Sequence, residues 1–132
     1  ADRYYAAQGR WREQAHAQGA AFIPAATPGF NDKGVREGHA AVSRKLDAEL
    51  EFGSLFRAML EQAVGYTDES TGKMLLITSW NEWHEDTQIE PVGEAAPTKV
   101  DISATGDAFS EGLEYEGYGE RYLQILREVV ER

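Results

Sequence analysis

Cysteine is absent from the 132 residues, which excludes a disulfide framework and any cysteine-based zinc site and leaves the cellular compartment open. Basic charge is scarce. Thirteen Lys and Arg stand against 23 Asp and Glu, a net charge of −10 at pH 7. So acidic a chain argues against a nucleic-acid backbone or an anionic membrane as partner, but not against a neutral ligand such as a sugar. No apolar run approaches the roughly 18 residues of a membrane span, and residues 1–19 are too polar for a signal peptide. The first residue is not Met, which leaves room for a leader or a longer N-terminal part. What is present is ordinary for a globular protein: 42% apolar and 27% charged residues, in a length that fits one domain with a real core.

Residues 1–18 read as an amphipathic helix capped by Asp2, with Tyr4, Ala7, Trp11 and Ala15 at helical spacing and Gly19 as its stop. Residues 20–24 (AAFIP) read as a short apolar strand, which leads into the turn-forming group Pro28-Gly29-Phe30-Asn31-Asp32. Residues 34–52 are polar and weakly patterned, a long loop with at most one helical turn. Ser54 caps a helix whose apolar face is Leu55, Phe56, Met59, Leu60, Ala63 and Val64. Residues 74–78 (MLLIT) suit a buried strand. Residues 92–117 make a second long connection, and loops of that length are usually functional or disordered. Tyr118, Tyr122, Ile125, Leu126 and Val129 form one face of a closing helix over 118–131.

Strands alternating with helices imply an α/β fold with parallel strands and right-handed crossovers. Both long loops follow strands, so both open on one face of the sheet, as in a (β/α) barrel. Two strands cannot close a barrel, and a full one needs about 250 residues. The expectation is a single segment, residues 1–132, that forms the C-terminal portion of a (β/α)8 TIM-type barrel: about two parallel strands, flanking helices and long strand-to-helix loops. Its partner is then the missing N-terminal barrel portion or another copy of itself.

The chemistry gathers where the second strand ends. Trp80, Asn81, Glu82, Trp83, His84, Glu85, Asp86, Thr87, Gln88 and Glu90 crowd together there, as in an active site at the C-terminal end of a strand. Glu82 and Glu85 are the candidates for paired acid/base work. In an extended strand they point to opposite faces, so the chain must bend between Asn81 and Glu85 for both to reach one substrate. Two carboxyls about 5–10 Å apart suit glycoside hydrolysis, whereas the plainer reading makes them solvated loop acids. Trp80 and Trp83 offer a wall for a sugar ring or serve as core aromatics, with Trp80 the better core candidate. His84 lies among carboxylates but lacks the second His of H-E-x-x-H, so no metal site is expected. Asn81, Thr87, Gln88 and Glu90 position substrate hydroxyls or satisfy the loop backbone. Tyr115 and Tyr118 read as packing residues, and His16 and His39 have no partner that the sequence names.

Trp80 to Pro91 (WNEWHEDTQIEP) resembles the N-E-W-H-E-G-T-Q-I-E-P signature of family 99 glycoside hydrolases, the endo-α-mannosidases and endo-α-mannanases. Phe22-Ile23-Pro24, Pro28-Gly29-Phe30-Asn31-Asp32 and Val35-Arg36 resemble that family's F-I-P…P-G-Y-x-D…I-R segment. Tyr118 to Leu123 (YGERYL) is similar to the terminal helix of that family and of the related WbsX-like proteins of bacterial polysaccharide clusters. The resemblance implies a (β/α)8 barrel of which this chain supplies the last two strands. It implies retaining cleavage of an α-linked glycan, mannose-containing in the family, through a 1,2-anhydro sugar and without a cofactor. Glu82 would deprotonate the 2-hydroxyl, and Glu85 would act as general acid and then base. Asn81, Trp83, His84, Thr87, Gln88, Glu90, Asp32 and Arg36 would contact substrate. Three departures stand out: Asp86 replaces Gly, Phe30 replaces Tyr, and residues 37–45 lack the family's P-W-N. The alternatives are a non-hydrolytic glycan-binding or polysaccharide-assembly module and an inactive barrel fragment.

Overall fold

The protein's structure, a computed structural model, describes residues 2–131, with side chains from residue 6 onward. The side chains of Asp2 and Tyr4, read above as cap and face residues, lie outside that description. The elements are α1 (Asp2–Ala17), β1 (Ala25–Ala26), α2 (Ser54–Tyr66), β2 (Leu76–Ile77), β3 (Ala95–Thr98), β4 (Tyr115–Gly117) and α3 (Arg121–Val130).

β1 and β2 pair in parallel, Ala25 opposite Leu76 and Ala26 opposite Ile77, and α2 lies in the connection between them. The expected βαβ arrangement is present, but its strands are shorter and shifted. The Phe22 N–H is bonded to the Asp68 carboxylate at 2.7 Å, and Pro24 has no N–H to give. The ladder therefore begins at the Pro24 carbonyl, which accepts from Leu76 N at 2.8 Å. Nor is the second strand buried on both faces. Leu75 and Ile77 pack on the core, while Met74 and Leu76 remain 51% and 52% exposed, because no described element covers their side.

α2 buries Leu55, Phe56, Met59, Leu60 and Ala63 as its spacing requires, while Val64 stays exposed. Its N-cap is Gly53, with φ +88°, rather than Ser54, which is the first helical residue and whose hydroxyl donates to the Glu51 carbonyl at 2.6 Å. Gly53 is needed there twice over. The left-handed conformation favours it, and a Cβ would come within 2.5 Å of Ile125 Cδ1 on α3. α3 starts three residues later than its apolar face suggests and contributes Tyr122, Ile125 and Val129, with Tyr118 buried just before it. Phe56, Tyr118 and Tyr122 meet edge to face, at centroid distances of 5.7 Å (Phe56–Tyr122) and 4.6 Å (Tyr118–Tyr122).

Among the described side chains of α1, Trp11 is exposed and Gln8 is buried. Polar bonds also tie it to the rest of the fold. Gln8 exchanges two hydrogen bonds with the Ala25 backbone, at 2.9 and 2.8 Å, and Arg12 and His16 both reach Asp68. The second long connection contains an unexpected antiparallel ribbon, β3 with β4. Gly117 permits it, since a Cβ there would run into the Gly93 carbonyl and the Ala95 amide. The first long connection has no helical turn among the described residues, but an isolated bridge, Phe30 with Val42, pins it. No described helix is long and apolar enough to cross a membrane.

Candidate active site

Past β2 the Thr78–Ser79 peptide is cis, and residues 79–90 fold back on themselves. Ser79 N donates to the Thr87 carbonyl at 2.7 Å, Ile89 N to the Ser79 carbonyl at 3.1 Å and Glu90 N to the Trp80 carbonyl at 2.9 Å. Ser79 Oγ and Thr87 Oγ1, 2.8 Å apart, close the neck, and Ser79 Oγ also accepts from Glu82 N at 2.9 Å. The buried Thr87 thus spends its hydroxyl on the loop. Across the tip runs a 3₁₀ turn, Trp83–Glu85, followed by Asp86 at φ +49°. This is the bend that two glutamates three residues apart require.

The glutamates at the ends of that turn have different surroundings. Glu82 Oε1 accepts from His84 N at 3.1 Å and stands 3.4 Å from His84 Nδ1, at a carboxylate 47% exposed. Glu85 is 30% exposed and receives Arg36 Nη1 at 2.8 Å. The same Arg36 nitrogen reaches Asp32 Oδ2 at 3.0 Å. Asp32 is fully buried, and His39 Nδ1 lies 2.7 Å from that same oxygen, which gives His39 a partner the sequence did not reveal. Burial pushes the Asp32 carboxyl up, but Arg36 and His39 outweigh it and hold its pKa below the ordinary value. Arg36 is raised, by Glu85 first and Asp32 next. Asn31 N donates to the Glu85 carbonyl at 2.8 Å, so the 28–36 turn and the glutamate turn are joined by backbone as well as side chain. Glu85 also borders a mostly apolar cavity of about 420 Å³ with Phe30, Val42, Leu55 and Met59, a lining from which Glu82 is absent.

Asp86 is held from below. Arg44, 6% exposed, places Nη2 and Nε at 3.0 and 3.3 Å from Asp86 Oδ1. Its Nη2 also reaches the carbonyls of Asp86 and Gln88, at 3.1 and 3.0 Å, and its guanidinium lies over the Tyr118 and Tyr122 rings, 5.2 and 4.8 Å from their centroids. Burial pushes Arg44 down, and Asp86 followed by Tyr122 more than restores it, so it lies above its ordinary value. Gln88 Nε2 donates to Asp86 Oδ1 at 3.1 Å, Trp83 Nε1 to Glu90 Oε2 at 3.3 Å, and the Tyr118 hydroxyl to the Glu90 carbonyl at 2.8 Å.

Above the turn a cleft of about 540 Å³ separates the two long connections; Asn31, Trp83, His84, Gln88, Phe109 and Tyr115 are among its walls. It lies beyond the C-terminal ends of β1 and β2, where open α/β sheets bind ligands.

The sequence profile of glycosyl hydrolase family 99 matches residues 4–128. The chain belongs to that family. Among solved structures, a GH99 endo-alpha-mannosidase from Bacteroides thetaiotaomicron in complex with BIS-TRIS-propane is 27% identical, with a TM-score of 0.55, over 96% of this chain and 33% of its own. A structure described as a glycoside hydrolase-like protein is 27% identical, with a TM-score of 0.62, over 92% of this chain and 29% of its own. A further structure of the Bacteroides thetaiotaomicron enzyme, 24% identical with a TM-score of 0.56, matches in fold. The family 99 chain therefore spans at most a third of the length of these relatives. No curated protein matches it.

Within the family 99 chain, Asp32, Arg36 and Glu85 form one cluster, Glu82 with His84 and Trp83 with Glu90 form two pairs, and Thr87 and Gln88 lie buried beneath. Asn81 is exposed and enters through its carbonyl, which accepts from Trp83 N at 3.1 Å. Trp80, the better core candidate, is 51% exposed, since no described element covers that side of the loop. Tyr115 and Tyr118 do pack, and both also use their hydroxyls, with Asn31 Nδ2 donating to Tyr115 at 2.5 Å. Arg44, Ser79 and Asn31 were missed as site-building residues. Arg44 sits in a stretch without periodicity and its partner is 42 positions away, so local pattern carries no trace of the pair.

Proposed function

We propose that this chain is the C-terminal part of a catalytic (β/α)8 barrel domain, and that its 79–90 loop carries the two carboxylates of a retaining hydrolase of α-linked glycans. The observation that carries this reading is the turn bearing Glu82 and Glu85, with Arg36 bridging Asp32 to Glu85 at 3.0 and 2.8 Å. Family membership and the endo-alpha-mannosidase likeness make an α-mannose-containing glycan the first substrate to test. Glu82 takes the proton of the sugar 2-hydroxyl while O2 attacks C1. Glu85 gives its proton to the departing glycosidic oxygen, which leaves a 1,2-anhydro sugar. Glu85 then takes a proton from water as that water attacks C1, and Glu82 returns its proton to O2. Arg36 is shared by two acceptors, so it can release Glu85 during this exchange and keep Asp32 as a partner. His84 steadies Glu82, and Trp83, Asn81, Gln88 and Glu90 face the sugars or position the groups that do.

Paired acid/base catalysis asks for two carboxyls in unlike environments, which the Arg36-bound Glu85 and the His84-bound Glu82 provide. In the full-length protein, Glu82→Gln and Glu85→Gln each abolish glycan cleavage and spare binding; full activity in both variants sinks the assignment. A second reading, a glycan-binding or polysaccharide-assembly module, draws on one observation: the cavity beside Glu85 does not include Glu82 in its lining. A wild type that binds glycan and never cleaves it decides for that module.

A further inference from the structure

The 540 Å³ cleft has a wall that the glutamate turn does not supply, built by Val100, Asp101, Ile102, Phe109 and Ser110 of the second connection. Phe109 in that wall is 44% exposed, yet its backbone is pinned on both sides. Its N–H donates to Asp101 Oδ2 at 2.9 Å, and its carbonyl accepts from Asn31 Nδ2 at 2.8 Å. Asp101 also takes the N–H groups of Ser103 and Ser110, at 2.8 and 2.7 Å, so one carboxylate closes the loop. Lys33 pairs with Glu111, and Glu111 accepts from Ala41 N at 3.1 Å, which ties the loop to the first connection. The entropic cost of ordering this loop has therefore been met before any ligand arrives, while the ring it carries is left half in water.

A rigid, half-exposed ring in a cleft that also holds Trp83 and Ile102 suits a ligand with one flat apolar face and a polar edge. A pyranose ring is such a ligand, with its C–H face for the aromatic and its hydroxyls for the exposed His84 imidazole. The volume lies within the roughly 300–1,000 Å³ of small-molecule sites. The cleft is continuous with the glutamate turn through Trp83 and His84.

We propose that the Asp101-closed loop is a second sugar-binding wall, on which Phe109 stacks a pyranose residue at a distance from the bond being cleaved, so that the protein prefers extended glycans. The inference rests on the glycan reading above. It is tested by calorimetric titration of the full-length Glu85→Gln protein with an α-mannose disaccharide, tetrasaccharide and hexasaccharide. Affinity should rise with length. Phe109→Ala should lose about tenfold on the hexasaccharide and nothing on the disaccharide, while Phe109→Tyr keeps the parent's profile. An unchanged profile in Phe109→Ala, an equal loss at every length, or a loss that Phe109→Tyr shares overturns the second wall and leaves the catalytic reading standing. If no glycan binds the parent protein, the glycan reading fails and takes this inference with it.

Discussion

Asp86 adopts φ +49°, a conformation that Gly takes freely and other residues take at a cost, Asp among the least penalised. The family signature has Gly at this position, beside the glutamate proposed as acid/base. Arg44 explains how Asp is tolerated: the carboxylate that brings the strain also brings an ion pair to a buried guanidinium. The effects oppose each other, and their sizes decide the sign of a substitution. Left-handed strain costs about 1–3 kcal/mol, whereas removing one partner of a buried pair costs about 3–5 kcal/mol. Asp86→Gly alone should therefore destabilise the full-length protein in urea unfolding, by about 1–3 kcal/mol net. In an Arg44→Met background the same change should stabilise it, because the strain is removed at the loss of only the Gln88 hydrogen bond. A double-mutant cycle with additive effects would show that the pair does not support the turn. Glu82 and Glu85 stand out in the sequence as candidates because they lie in a dense polar group beside a strand end, while Asp32 and Arg36 are candidates only through the family resemblance. Arg44 was not, because its meaning lies wholly in contacts made across the fold.

Among the elements, α2 and α3 were legible because their apolar residues repeat at helical spacing and pack on each other. β3 was not: its four residues are Ala-Ala-Pro-Thr, with a Pro that strands accept chiefly at edges and bulges. α1 was read correctly in extent, and Asp68 adds a hold on it that its apolar spacing does not show. The His16 ring and the Phe22 amide bonded to Asp68, helped by Arg12 and opposed by burial, draw its pKa down to about 2 from 3.8. A depressed carboxyl stabilises the fold fully above its unfolded pKa, and that contribution is lost as pH falls through the folded one. Thermal unfolding of the full-length protein should thus lose stability between about pH 4 and pH 2, and Asp68→Asn should flatten that part of the profile. A variant with the wild-type acid slope would show that α1 is held in some other way.

For the molecule as a whole, the informative surface is the uncovered side of β2. Met74 and Leu76 are half exposed, and among the described residues the parallel sheet has two strands, both with their outer edges unpaired. Parallel sheets are almost always covered on both faces, so this side has the chemistry of an interior without the neighbours of one. The barrel proposal says what covers it: the earlier strands and their helices, in a domain of which the chain spans about a third of the length of its solved relatives. Residues 1–132 alone should then self-associate, with a sedimentation coefficient that rises with concentration. Leu76→Lys separates this from a general stickiness. It should suppress association of the isolated chain, where the side chain meets water, and destabilise the full-length protein by about 1.5–3 kcal/mol, the worth of a buried leucine. A full-length protein indifferent to Leu76→Lys would mean that β2 stays uncovered there too, and the barrel would have to be given up while the glutamate turn was retained.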